Sequence, residues 1–209
     1  YRPRPTMPLT DDSRRPAQAL LAFIDASPSP WHAVASAEQQ LAAAGFTRLE
    51  EGERWQLKAG GRHYAVRGGS SLIAFVLGGG KLEKAGYAVV GAHTDSPGLR
   101  LKPRAAHAAD GLLRLGVEVY GGPILATFAD RDLSLAGRVS VRQDGGHATR
   151  LLHFEQPLVR LPNLAIHMNR EVNESGLKFN KQSELPLLLG VAEEGVKADA
   201  RFRQPIAAA

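Results

Sequence analysis

Residues 87–97 read Tyr87-Ala88-Val89-Val90-Gly91-Ala92-His93-Thr94-Asp95-Ser96-Pro97. The first six are apolar or small, the pattern of a short strand buried inside a sheet. The next five are polar and end on proline, so the expected strand stops at His93. Open α/β sheets bind their ligands at the carboxyl ends of strands. Read alone, His93-Thr94-Asp95 leaves two readings. As a turn, Asp95-Ser96-Pro97 has suitable chemistry, and spacing by itself favours this one. As a ligand pair, a neutral His93 imidazole suits zinc, and Asp95 would fix its tautomer.

Upstream, residues 63–67 and 71–77 read as a hairpin with Gly68-Gly69 at its turn. The run Leu72-Ile73-Ala74-Phe75-Val76-Leu77 predicts a strand covered on both faces. Ser29-Pro30 offers an N-cap followed by proline at the first helical position, predicting a helix over 31–44 with Gly45 just beyond it. Its expected buried side is Trp31, Val34, Leu41 and Ala42. Leu20, Leu21, Phe23 and Ile24 give residues 17–26 a helical apolar face. Two helices followed by strands predict an α/β layer. Residues 1–16 are rich in Pro, Thr, Ser and Asp and have no apolar run. They read as a disordered leader rather than a signal peptide, and Met7 offers a start that would make residues 1–6 upstream sequence.

Downstream the texture changes after Lys102-Pro103. Leu113, Leu115, Val117 and Val119 alternate with Arg114, Gly116, Glu118 and Tyr120. Leu133, Leu135, Val139 and Val141 repeat the pattern, and 151–154, 158–161 and 164–167 continue it. This is the period of half-exposed antiparallel strands. The expectation is therefore a boundary near residue 103, with a β-rich unit over 104–209. His167 falls on the last of these apolar segments and reads first as a satisfied structural histidine, with binding of a carboxylate or a tetrahedral intermediate as the functional alternative. Asp130-Arg131-Asp132 could bind a substrate but reads first as a structural Arg–carboxylate network. Glu193-Glu194 sits in a polar stretch with Lys197 and Asp199 and reads as a solvated loop.

Composition excludes several classes. Among 209 residues, 44% are hydrophobic and 22% charged, an ordinary globular balance. There is no cysteine, so cysteine nucleophiles, Cys-ligated zinc and iron–sulfur clusters are excluded, and a metal site must use His, Asp and Glu. The 26 Lys and Arg against 21 Asp and Glu give a net charge of +5, but the cations are scattered, so no nucleic-acid partner is expected. No apolar run approaches a membrane span, and no membrane partner is expected. The glycine runs do not match a phosphate loop, and no G-x-S-x-G nucleophile elbow is present. Cytoplasmic location is the default expectation.

Longer strings narrow the reading. They are 26–33 (A-S-P-S-P-W-H-A), 91–97 (G-A-H-T-D-S-P), 99–102 (L-R-L-K) and 117–122 (V-E-V-Y-G-G). Then come 130–139 (D-R-D-L-S-L-A-G-R-V), 162–170 (P-N-L-A-I-H-M-N-R) and 184–186 (E-L-P). In this order, over residues 17–190, the chain resembles the aspartyl aminopeptidase family of zinc exopeptidases. Two positions depart from the pattern. Gly98 stands where a cysteine is usual, and Phe128-Ala129 stands where Trp-Phe is usual.

The resemblance implies a metal-dependent aminopeptidase that removes N-terminal Asp or Glu from peptides. It implies the first half of an α/β catalytic domain (17–103) followed by an inserted β-rich dimerisation domain (104–209). It also implies two zinc ions per active site in the complete enzyme, and homo-oligomers up to dodecamers. His93 matches the first metal-binding histidine and Asp95 the aspartate that orients it. His167 matches a histidine that reaches a neighbouring subunit's active site to bind substrate. The family's remaining ligands follow the inserted domain, so the expectation is an incomplete portion, inactive by itself. The alternative is a non-catalytic oligomerisation module derived from the same family.

Overall fold

In the computed structural model, residues 10–208 are described. Helices and sheets are mixed, and among the described residues no helix is long and apolar enough to cross a membrane. The chain divides into two compact units, one ending at Asp95 and the other beginning at Ser96.

The first unit opens with helix α1 (Asp11–Asp25). It starts six residues before the apolar face predicts, because Thr10 caps it: the Thr10 hydroxyl accepts the Ser13 N–H at 3.3 Å. Asp11 and Asp12 then complement the positive end of the helix dipole. Residues 11–16 are therefore helical, which corrects the expected leader there; its residues 1–9 lie outside the described residues. Helix α2 (Pro30–Ala43) follows, with Ser29 as N-cap. Its C-terminus closes as a Schellman motif, with Gly45 N–H on Ala42 O at 3.0 Å and Phe46 N–H on Leu41 O at 2.9 Å. Gly45 takes φ +79°, which a side chain would resist. Of the four residues expected on its buried side, Val34 is buried, Trp31 and Leu41 are half-buried and Ala42 is exposed; Ala33 is buried instead.

Strands β1 (Thr47–Arg48), β2 (Arg62–Arg67) and β3 (Ser71–Val76) form a sheet in that order. β1 pairs parallel with β2, and β2 pairs antiparallel with β3 from Arg62↔Val76 to Arg67↔Ser71. Tyr64 and Ala65 on β2 are buried, but Ile73 and Val76 on the edge strand β3 are more than half exposed. The expectation that this strand is covered on both faces fails: Ser71, Ile73, Ala74 and Val76 are exposed, although Trp55 stacks on Phe75 at 6.2 Å. A short helix α3 (Leu82–Ala85) precedes residues 86–93, which make no ladder. Val90 there is 98% exposed. The apolar run is thus not a strand among the described residues, because a strand needs a neighbour to take its N–H and C=O groups.

The second unit begins with β4 (Gly98–Ala109) and β5 (Leu112–Tyr120). Asp110 and Gly111 join them with φ of +53° and +73°, the two-residue turn whose twist matches a hairpin. The register jumps between Leu101↔Val117 and Ala106↔Leu115, so Lys102 to Ala105 bulge out. Pro103 lies in that bulge, where its missing N–H costs no ladder bond. The change of texture that predicts a boundary near 103 is this bulge inside one strand; the units divide at Asp95/Ser96 instead.

Next come a 3-10 turn (Leu125–Phe128), β6 (Arg131–Leu133), the hairpin β7 (Ala136–Gln143) and β8 (Gly146–His153), and β9 (Val159–Leu161). A second 3-10 turn (Ile166–Met168), α4 (Val172–Ser175), β10 (Leu187–Val191) and α5 (Ala198–Ala208) complete it. The five-stranded sheet runs β4-β5-β10-β9-β6, while β7 and β8 form a separate two-stranded sheet among the described residues. The predicted alternation holds: Leu113, Leu115 and Val117 are at most 4% exposed. Leu115 and Val117 join Ala105, Val159, Leu161, Leu185 and Leu187 in the core, and Phe202 of α5 packs against it.

Candidate functional site

His93 and Asp95 flank Thr94 at the end of the first unit, and the structure brings the two outer side chains together. His93 Nδ1 lies 3.0 Å from Asp95 Oδ1. A carboxylate accepts only, so His93 donates from Nδ1, which leaves Nε2 as the other ring nitrogen. The His93 side chain is 90% exposed and Asp95 32%, so the carboxylate is the more enclosed partner and the ring the presented one. Thr94 points elsewhere: its hydroxyl donates to the Ser70 carbonyl at 2.8 Å. Ser70 follows Gly68 and Gly69, whose φ of +62° and +69° form the β2–β3 turn. That turn closes with Ser70 N–H on Arg67 O at 3.3 Å.

This donor set fits zinc as one ligand. A neutral imidazole with its second nitrogen on a carboxylate is the usual way such a histidine is oriented. A catalytic zinc takes about three protein ligands. Among the described residues no group of three or more His, Asp or Glu is close enough to hold an ion.

His167 belongs to the second unit and is described there by itself. It lies on the 3-10 turn Ile166–Met168 and is exposed. The expected strand over 164–167 is absent, and with it the structural reading of a histidine packed on an apolar strand. The acidic triplet forms a network, but through an arginine far along the chain. Arg160 on β9 donates to Asp130 and Asp132, each at 2.7 Å. Those bonds, Asp130 first, raise the Arg160 guanidinium further above its ordinary range. The register Asp132↔Arg160 creates this bridge, and only strand pairing would have disclosed it. Glu193 reaches Arg201 at 3.5 Å in an exposed segment, in keeping with a solvated loop.

Thr94 is the residue the spacing argument passes over. Its place between a candidate ligand and its orienting aspartate is visible in sequence, but its acceptor is a main-chain carbonyl 24 residues away.

The family model described as aminopeptidase I zinc metalloprotease (M18) matches residues 23–205. A probable M18 family aminopeptidase 2 of Stutzerimonas stutzeri is 52% identical over 172 residues, covering 82% of this chain and 40% of that protein. The chain thus spans less than half the length of the curated relative it matches. Its fold is similar to a chain in the cryo-EM structure of the Ape4 and Nbr1 complex, with TM-score 0.81 and 39% identity over 91% of this chain and 38% of that one. It is also similar to the S. cerevisiae mApe1 dodecamer, with TM-score 0.67 and 27% identity over 88% of this chain and 50% of that one. With the family match running from α1 to α5, this chain belongs to the M18 family of aminopeptidase I zinc metalloproteases.

Proposed function

We propose that this chain is the N-terminal part of a zinc aminopeptidase that releases N-terminal Asp or Glu from peptides. The observation that carries the reading is the 3.0 Å contact between His93 Nδ1 and Asp95 Oδ1, in a chain whose family is that of zinc metalloproteases. Asp95 holds the proton of His93 on Nδ1 and keeps the Nε2 lone pair available as a metal ligand. The zinc ions, two per active site in this reading, supply Lewis-acid polarisation of the peptide carbonyl and a nucleophilic water. The remaining ligands and the proton-transferring carboxylate come from sequence outside these 209 residues.

His167 serves as a substrate contact in a neighbouring subunit, a role its exposed place on a 3-10 turn supports. The β-rich second unit is the inserted domain that makes subunit contacts. The enzyme is a cytoplasmic homo-oligomer; the dodecameric mApe1 of S. cerevisiae supports such assembly.

The test is metal-dependent release of Asp from a peptide beginning with Asp. The native polypeptide carrying this chain releases it with zinc and not after chelation, and prefers it over a peptide beginning with Leu. The 209 residues alone release none. Turnover by the 209 residues overturns the incompleteness, and equal release of Leu overturns the specificity.

A further inference from the structure

We propose that Thr94 is a positioning residue for the metal ligand: its hydroxyl, donating to the Ser70 carbonyl, pins the His93–Asp95 pair to the β2–β3 turn. The inference rests on the reading of His93 as a zinc ligand. Three observations carry it.

The first is where the anchor lies. Thr94 stands directly between His93 and Asp95, so a bond from its side chain acts on the main chain that carries both.

The second is that the His93–Asp95 contact is local. Residues two apart can keep such a contact while the segment moves as a whole, so it fixes the ring relative to Asp95. The Thr94–Ser70 bond is different in kind. It spans 24 residues at 2.8 Å, and so ties the pair to a separate element.

The third is the firmness of that element. The turn is shaped by two glycines in the left-handed region and continues into six register pairs of β2 with β3. A Cβ on Gly69 would lie 3.5 Å from Trp31 Cδ1, so the turn sits against helix α2. β2 carries the buried Tyr64 and Ala65. Thr94 thus hangs the ligand pair on the turn of the β2–β3 hairpin.

The alternation of roles along three residues follows. His93 and Asp95 project toward each other, and Thr94, between them, projects to the scaffold. A metal ligand off by a fraction of an ångström binds weakly, and supporting hydrogen bonds around a zinc site are worth about 10- to 100-fold in affinity or activity.

The experiment uses the native polypeptide with Thr94→Val, Thr94→Ala and Thr94→Ser. Zinc retained per chain is measured against a graded chelator, with kcat and KM in parallel. Val and Ala remove the donor, so half-removal of zinc should need about tenfold less chelator and kcat should fall with KM unchanged. Ser keeps the hydroxyl and should restore both. The inference is overturned if Val and Ala retain zinc as the parent does, or if Ser loses as much as Val. Failure of the parent reading is a separate result: there the unsubstituted polypeptide binds no zinc, or His93→Ala retains it.

Discussion

Asp95 Oδ1 lies 3.0 Å from His93 Nδ1, and the histidine ring is 90% exposed while its carboxylate partner is 32% exposed. The carboxylate is seated and the imidazole is offered. Replacing Asp95 by Ala releases the ring to either tautomer and either rotamer. In the native polypeptide, zinc affinity read by chelator competition should fall by about 10- to 100-fold. Unchanged affinity would show that Asp95 does not orient the ligand.

The second unit rests on a small apolar core in which Leu115 and Leu161 are both 0% exposed. Either residue changed to Ala should destabilise the unit by about 2–5 kcal/mol, read as a lowered urea midpoint. Exchange of the edge-strand Ile73 for Ala, at 62% exposed in the first unit, should cost much less.

Arg67 donates from Nε and Nη2 to the Glu51 carboxylate, with the shortest contact at 2.6 Å. These hydrogen bonds hold the Glu51 carboxyl below its usual range, against a smaller opposing effect of desolvation. A depressed carboxyl favours the fold above its unfolded pKa, and that contribution is lost as pH falls through the folded value. The difference in urea midpoint between the parent and Glu51→Gln should therefore be greatest near neutrality and vanish in acid. Both side chains reach solvent, so added salt should also shrink it.

Ser29 Oγ accepts the His32 N–H at 3.4 Å and lies 2.7 Å from His32 Nδ1. Ser29→Ala should cost about 0.5–2 kcal/mol through loss of the N-cap, and Ser29→Asp should recover most of it. Equal loss in both variants would place the effect elsewhere than the cap.

Much of this was legible in the residues themselves. Ser29-Pro30 and Gly45 bound helix α2 because capping chemistry is local. Alternation at Leu113, Leu115 and Val117 marked a buried face because the strand period is local as well. His93 and Asp95 meet because they are two residues apart. What the residues did not disclose depends on partners distant in sequence. The apolar run at 87–92 looks like a buried strand, yet its burial is a property of its neighbours. Pro103 looks like a boundary until β5 is laid beside β4 and the proline falls in a bulge. The bridge from Arg160 to Asp130 and Asp132, and the tether from Thr94 to Ser70, both need the fold before they can be seen.

The central claim is that His93 is a zinc ligand of an aminopeptidase. The most direct measurement is zinc content and release of N-terminal Asp by the native polypeptide and its His93→Ala variant, side by side. The account predicts that the variant loses both zinc and turnover while its circular dichroism stays that of the parent. A folded His93→Ala variant with the parent's zinc content and the parent's rate would contradict it.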